Sequence, residues 1–193
     1  ITESILVRLL EKHYASKFRL QWVLSDIRPH FFDHRQDSFE FLFGKRQRGP
    51  YPFYRGFFSS EILQDGDRLL DIGCGDGFFT KRFFAEKCSH IDAIDIDPNA
   101  IKVATTHNSA PNINYQLLDA ISQPFPSDEY EVVVMDGAIG HFSVETSQCI
   151  LQEISRVLAR DGIFVGSESL GTESPDHLQF FHSLSDLLLL LKP

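Results

Sequence analysis

Five short apolar runs punctuate the chain from residue 68 onward, and four of them carry an aspartate at or beside their C-terminal end. They are Leu69-Leu70-Asp71-Ile72, Ile91 to Asp95, Ile113 to Leu118 before Asp119, Val132 to Met135 before Asp136, and Ile163 to Val165. Between them the apolar positions change to helical spacing: Phe79, Phe83 and Phe84, then Ala100, Ile101, Val103 and Ala104, then Ile150, Leu151, Ile154, Val157 and Leu158. Strands alternating with helices predict a parallel sheet. The unbroken apolar run at Val132 to Met135 fits a strand covered on both faces.

The pattern sets boundaries. The expected strands are 68–72, 90–95, 113–118, 131–136 and 163–167. A helix is expected from Gly77 to Glu86, a second from Pro98, and a third from its cap Ser143 to Arg160, closed by Asp161-Gly162. Ser59 to Leu63 reads as a short helix. Near the end, Ser183 and Asp186 have capping-box spacing and open a helix to Leu191. Upstream, residues 3–14 and 17–24 show helical spacing, the second stopped by Pro29. Ten aromatics then crowd residues 30–58, interrupted by the basic cluster Lys45, Arg46 and Arg48. We read 1–58 as an N-terminal helical, aromatic-rich cap or lid, and 59–193 as the main domain.

Composition alters this picture little. The 193 residues, 42% hydrophobic and 23% charged, suit one globular domain beneath a cap. A net charge of −9 argues against a general nucleic-acid or anionic-membrane binder. No apolar run reaches membrane-spanning length. Three widely spaced cysteines, Cys74, Cys88 and Cys149, suggest no disulfide framework and a reducing, cytoplasmic setting. The chain begins with Ile, so both ends are treated as open.

The chemistry is concentrated in Leu69 to Thr80. Gly73, Gly75 and Gly77 alternate directly after a strand, where the backbone can turn sharply and a ligand can approach peptide N–H groups. Asp71 precedes the first glycine by two residues, and Asp95 follows the third by 18. An acid at the tip of the second strand is where a ribose diol is held. Gly-x-Gly-x-Gly is also not the usual dinucleotide fingerprint, whose third glycine would fall at Phe78.

In these residues the chain resembles the class I S-adenosylmethionine-dependent methyltransferases, over about Gly66 to Leu170. The resemblance implies an α/β, Rossmann-like three-layer sandwich whose sixth and seventh strands are not seen here. The fifth strand is then an exposed edge, through which a dimer would form. It also implies S-adenosyl-L-methionine as cofactor, with S-adenosyl-L-homocysteine as product. Asp71, Gly73, Cys74, Gly75 and Gly77 match the first motif. Asp95 falls at the ribose with Ile96 beside it in the cofactor set, Asp119 and Ala120 at the adenine, and Asp136 and Gly137 at the methionine end. Asp119 is equally a residue that caps a turn, and Cys74 is more simply a small side chain than a nucleophile.

His141, just past the fourth strand, is the candidate base beside the methyl group, although a histidine packed at a helix entrance would look the same. Tyr54 and Arg55 are the lid candidates for the substrate side, and His34, Glu168 and His182 are weaker alternatives. No histidine spacing suggests a metal. After Val134 the sequence reads Met-Asp-Gly-Ala, unlike the base-amino methylating branches, and neither a Pro-Cys pair nor paired glutamates appear. The expected substrate is therefore a small organic molecule, with no nucleic-acid or membrane partner. Two other readings stay open: a nicotinamide oxidoreductase, and a non-catalytic adenosyl-ligand binder or scaffold on the same fold.

Overall fold

The computed structural model describes residues 51–121, 124–171 and 177–191, with side chains from Gly56 onward. The two helices expected over 3–14 and 17–24, most of the aromatic stretch, the basic cluster and His34 lie outside the described residues.

Five strands form one parallel sheet: β1 Arg68–Ile72, β2 His90–Asp95, β3 Ile113–Leu117, β4 Tyr130–Asp136 and β5 Leu158–Ser167. Their spatial order is β3-β2-β1-β4-β5, with all four pairings parallel. This order places β1, and the glycine turn at its end, at the centre of the sheet. Alternation along the strands divides the core into two layers. Leu70, Ile72, Ile94, Val133 and Met135 face one side, against Ile150, Ile154 and Val157 of helix α3 (Val144–Val157). Leu69, Ile91, Ala93, Val132 and Val134 face the other, packed with Phe84, Cys88 and Leu63. The sheet is thus covered on both faces, as the apolar pattern predicted.

Helix α1 (Tyr51–Ile62) is longer than the expected 59–63 turn, and it runs unbroken through position 58. Helix α2 (Pro98–His107) starts where Pro98 suggested, with the Asp97 side chain accepting from Asn99 N–H. Ser143 caps α3 by accepting from Thr146 N–H. Helix α4 (Leu184–Leu190) opens with the Ser183/Asp186 capping box.

Two boundaries differ from the sequence reading. The helix expected over Gly77 to Glu86 is present over 78–84 but winds as a π-helical turn at Thr80–Phe84, in which Ala85 N–H bonds back to Thr80 O. The wider turn lets Thr80 Oγ1 donate to Asp71 at 2.6 Å, while the Phe83 ring lies against Gly56 of α1. α3 ends at Val157 and not at Arg160. Leu158 already pairs with Tyr130, and the next pair is Ile163 with Val132, so β5 bulges between them. Gly162 is the residue that allows this. A Cβ there would lie 3.0 Å from Tyr130 O, so its task is close backbone approach and not helix termination.

Among the described residues β3 and β5 are the outer strands, and Ile163 on β5 is 46% exposed. No described helix is long and apolar enough to cross a membrane.

Candidate functional site

The glycine turn is built onto the second strand. Gly73 N–H and Cys74 N–H both donate to Ile94 O, at 2.8 and 3.0 Å. Gly75 N–H donates to Asp95 Oδ2 at 2.8 Å, and Gly77 N–H to Cys74 O at 3.0 Å. Phe78 N–H is taken by Asp76 Oδ1. The loop therefore closes on itself and on β2. Its glycines provide sharp turns at positive φ, 75° at Gly73, 56° at Gly75 and 72° at Gly77, rather than a cradle of open donors. The sequence reading expected those N–H groups to face a ligand. The structure assigns five of them to acceptors within the protein.

Carboxylates surround this loop. Asp71, Asp76 and Asp95 are all buried. Burial, followed by the charges of Asp95, Asp71 and Asp76, pushes the Cys74 thiol well above its ordinary range. Cys74 is thus a protonated, buried side chain and no nucleophile. The other oxygen of Asp95 accepts from Asp97 N–H, which fixes the carboxylate at the β2 tip. Ile96 next to it is 39% exposed and presents an apolar face at the same edge.

The third and fourth strand tips adjoin the loop. Leu118 N–H donates to Asp95 O, and Ala120 is buried in the same core cluster as Ile72, Ile94 and Ala138. Asp119 is exposed, and its Oδ1 accepts from Ile121 N–H in a turn-capping bond. At β4, Asp136 Oδ2 accepts from Ser59 Oγ of α1 at 2.9 Å. Gly137 adopts φ 63°, and the Ala138 side chain comes within 3.4 Å of where a Gly73 Cβ would be. His141 follows in the short 3-10 turn Ile139–His141, only 7% exposed. Its ring meets that of His177 edge to face, with centroids 4.5 Å apart.

A family profile described as a methyltransferase domain matches residues 70–166, half of the chain and the span that holds all of these tips. The chain belongs to the class I S-adenosylmethionine-dependent methyltransferases. An uncharacterised methyltransferase of Bacillus subtilis, YcgJ, is 29% identical over 122 residues, covering 62% of this chain and 47% of that protein. Its crystal structure shares the fold, with a TM-score of 0.59 at 24% identity over 69% of this chain and 65% of that one. The mouse EEF1A lysine methyltransferase 4 is 26% identical over 144 residues, 64% of this chain and 56% of that protein. The phosphoethanolamine N-methyltransferase of Plasmodium falciparum is 25% identical over 146 residues, 74% and 55% respectively. The chain spans about half the length of these curated relatives.

The methyltransferase fold gathers most of the residues singled out in the sequence, though not in one row. Asp71 points under the turn to Thr80, Asp95 ties the turn to β2, and Asp119 stands out in solvent. Tyr54 and Arg55 belong to α1, with side chains outside the described set. His182 is exposed at the entrance of α4. Glu168 is held by the backbone: its oxygens accept from Gly140 N–H at 2.9 Å and Ser169 N–H at 2.7 Å. Thr80, Tyr115, Ser59 and His177 were missed. Tyr115 OH shares its one hydrogen between Asn108 O at 2.9 Å and Gly77 O at 3.2 Å, bracing the turn from β3. No spacing rule marks such residues, because each reaches the site from a separate element.

Proposed function

We propose that this chain transfers a methyl group from S-adenosyl-L-methionine to a small organic acceptor by in-line displacement. The observation that carries the reading is the closed, acid-ringed glycine turn. A dinucleotide places its pyrophosphate on open N–H groups at a helix N-terminus. Here Gly73, Cys74, Gly75, Gly77 and Phe78 spend theirs internally, and Asp71, Asp76 and Asp95 crowd the same loop. Those carboxylates repel a pyrophosphate and suit a ligand bearing positive charge.

When bound, S-adenosyl-L-methionine supplies a methyl group on a positively charged sulfur, a leaving group ready for displacement. In this reading Asp95 accepts the ribose hydroxyls and Ile96 lies against the adenine. Asp119 and the Ala120 N–H take the adenine edge, and Asp136 with Gly137 takes the amino-acid end. Burial of the site excludes water, and alignment of the acceptor supplies most of the acceleration. The unprotonated ring nitrogen of His141 takes the proton that a hydroxyl or amine acceptor releases. Tyr54 and Arg55 on α1 serve the acceptor side. The three free thiols suit a reducing, cytoplasmic setting.

Calorimetric titration with S-adenosyl-L-homocysteine and, separately, NAD tests the cofactor. The thioether is expected to bind, and Asp95→Ala to weaken it at least about tenfold, as for a lost charge-assisted hydrogen-bond pair. Binding of NAD instead would overturn the reading. Methyl-labelled cofactor offered with a small-molecule panel that includes phosphoethanolamine, and separately with purified eEF1A, tests the acceptor class. Label is expected in the small-molecule fraction, and label on the protein would move the acceptor to a lysine side chain.

A further inference from the structure

The turn that carries His141 is clamped from two sides. Gly140 N–H donates to Glu168 Oε2 beyond β5. Gly140 O accepts from Leu178 N–H at 2.8 Å and Gln179 N–H at 3.1 Å, both from the segment before α4. The buried Gln179 side chain then donates to Phe142 O at 2.8 Å and Ser147 Oγ at 2.7 Å, tying the same segment to the first turn of α3. These bonds deliver His177 to one place. Its Nδ1 lies 3.0 Å from where a Cβ on Gly140 would be, so the ring packs tightly on the Gly140 backbone. There it stands at 85° to His141, with Phe180 stacked behind it at 6.4 Å and 28°.

We propose that His177 is the positioning residue for His141, its ring fixing the His141 imidazole in a single orientation at the rim of the cofactor site. The inference rests on the reading of His141 as the acceptor-side group, and it extends the site to a segment more than thirty residues further along the chain. The physical basis is contact geometry. An edge-to-face pair at a buried turn restricts ring rotation, and the backbone bonds of Leu178 and Gln179 to Gly140 O hold His177 in place. A general base helps only when its lone pair is aimed at the proton it removes. An imidazole free to turn within its pocket would lose most of that benefit.

The test is magnetic resonance of the histidine rings in the full chain, with His141→Gln assigning the His141 signals. Wild type is expected to give one set of His141 ring signals, displaced by the neighbouring ring. In His177→Ala these signals shift and broaden or split into more than one set. His177→Phe, which keeps a ring, restores a single set displaced in the same direction. His177→Leu, which keeps bulk without a ring, behaves like His177→Ala and serves if the alanine variant does not fold. S-adenosyl-L-homocysteine is expected to bind all the folded His177 variants as it binds wild type. With any acceptor found, kcat is expected to fall about tenfold or more in His177→Ala while the cofactor KM holds. His141 signals in His177→Ala or His177→Leu that overlay those of wild type would overturn the proposal. Failure of the thioether to bind wild type, or to move its His141 signals, would instead sink the functional reading, and the comparison in the free chain would still decide the role of His177.

Discussion

At Gly77 two constraints fall on one atom. Its φ of 72° suits glycine, and a Cβ there would lie 2.5 Å from Tyr115 OH. Gly77→Ala is therefore expected to lose about 2 kcal/mol of stability in urea unfolding, from backbone strain and the clash together. It should also weaken S-adenosyl-L-homocysteine in the same preparation, since the displaced Tyr115 braces Gly77 O. The cysteines give an independent check. Burial, followed by the charges of Asp67 and Asp71, pushes Cys88 up to about 12, and Cys74 is likewise raised. Cys149 is exposed. At pH 8 an aromatic disulfide reagent is expected to titrate Cys149 at once and the other two thiols only on unfolding. Rapid reaction of Cys74 would contradict the acid-ringed loop. At this scale the glycines and the acids at the strand tips were legible, because spacing within one turn is local. The partners Thr80, Tyr115 and Ser59 were not, because the contacts that give them meaning cross between elements.

The β3-to-β4 connection contains no helix among its described residues, and the sheet answers with polarity. Asp92 on β2 lies on the α3 side of the sheet, buried. It accepts from Tyr130 OH, Asn114 Nδ2 and Gln116 Nε2, each at 2.8 Å, with His90 Nε2 at 3.1 Å. Burial and the bond to Asp92 hold the Tyr130 phenol far above its usual range, so it stays a donor. Asp92→Ala leaves that buried hydroxyl without its acceptor and is expected to cost about 1–3 kcal/mol in urea unfolding. Tyr130→Phe, which removes the group itself, is expected to cost less. Equal losses would mean that the network is dominated by its other members. The strands were legible from apolar runs and aspartates to within a residue or two, except for β5. There the helical period ran on through Leu158, and the pairing of Leu158 with Tyr130 overrode it. The π-helical turn was likewise invisible, because Phe79 and Phe83 satisfy helical spacing whichever way the turn is wound.

Across the molecule, α1 braces the site from outside the sheet. Gly56 lies directly against the Phe83 ring, Lys87 Nζ reaches Ser60 O at 2.5 Å, and Ser59 holds Asp136. Gly56→Ala would force α1 off the π-helical turn. It is expected to lower stability by about 1–3 kcal/mol and to weaken the thioether through Asp136. Unchanged affinity would detach α1 from the site. The closed glycine turn has a wider consequence. A pocket whose loop is already folded spends little ordering entropy when a ligand arrives, so binding does not wait for the loop to form. Spent thioether differs from fresh donor by one methyl group and one positive charge, and only the surrounding carboxylates register that difference. Those buried acids therefore favour the charged donor, and competition between the two is expected to find the spent thioether displaced by fresh donor.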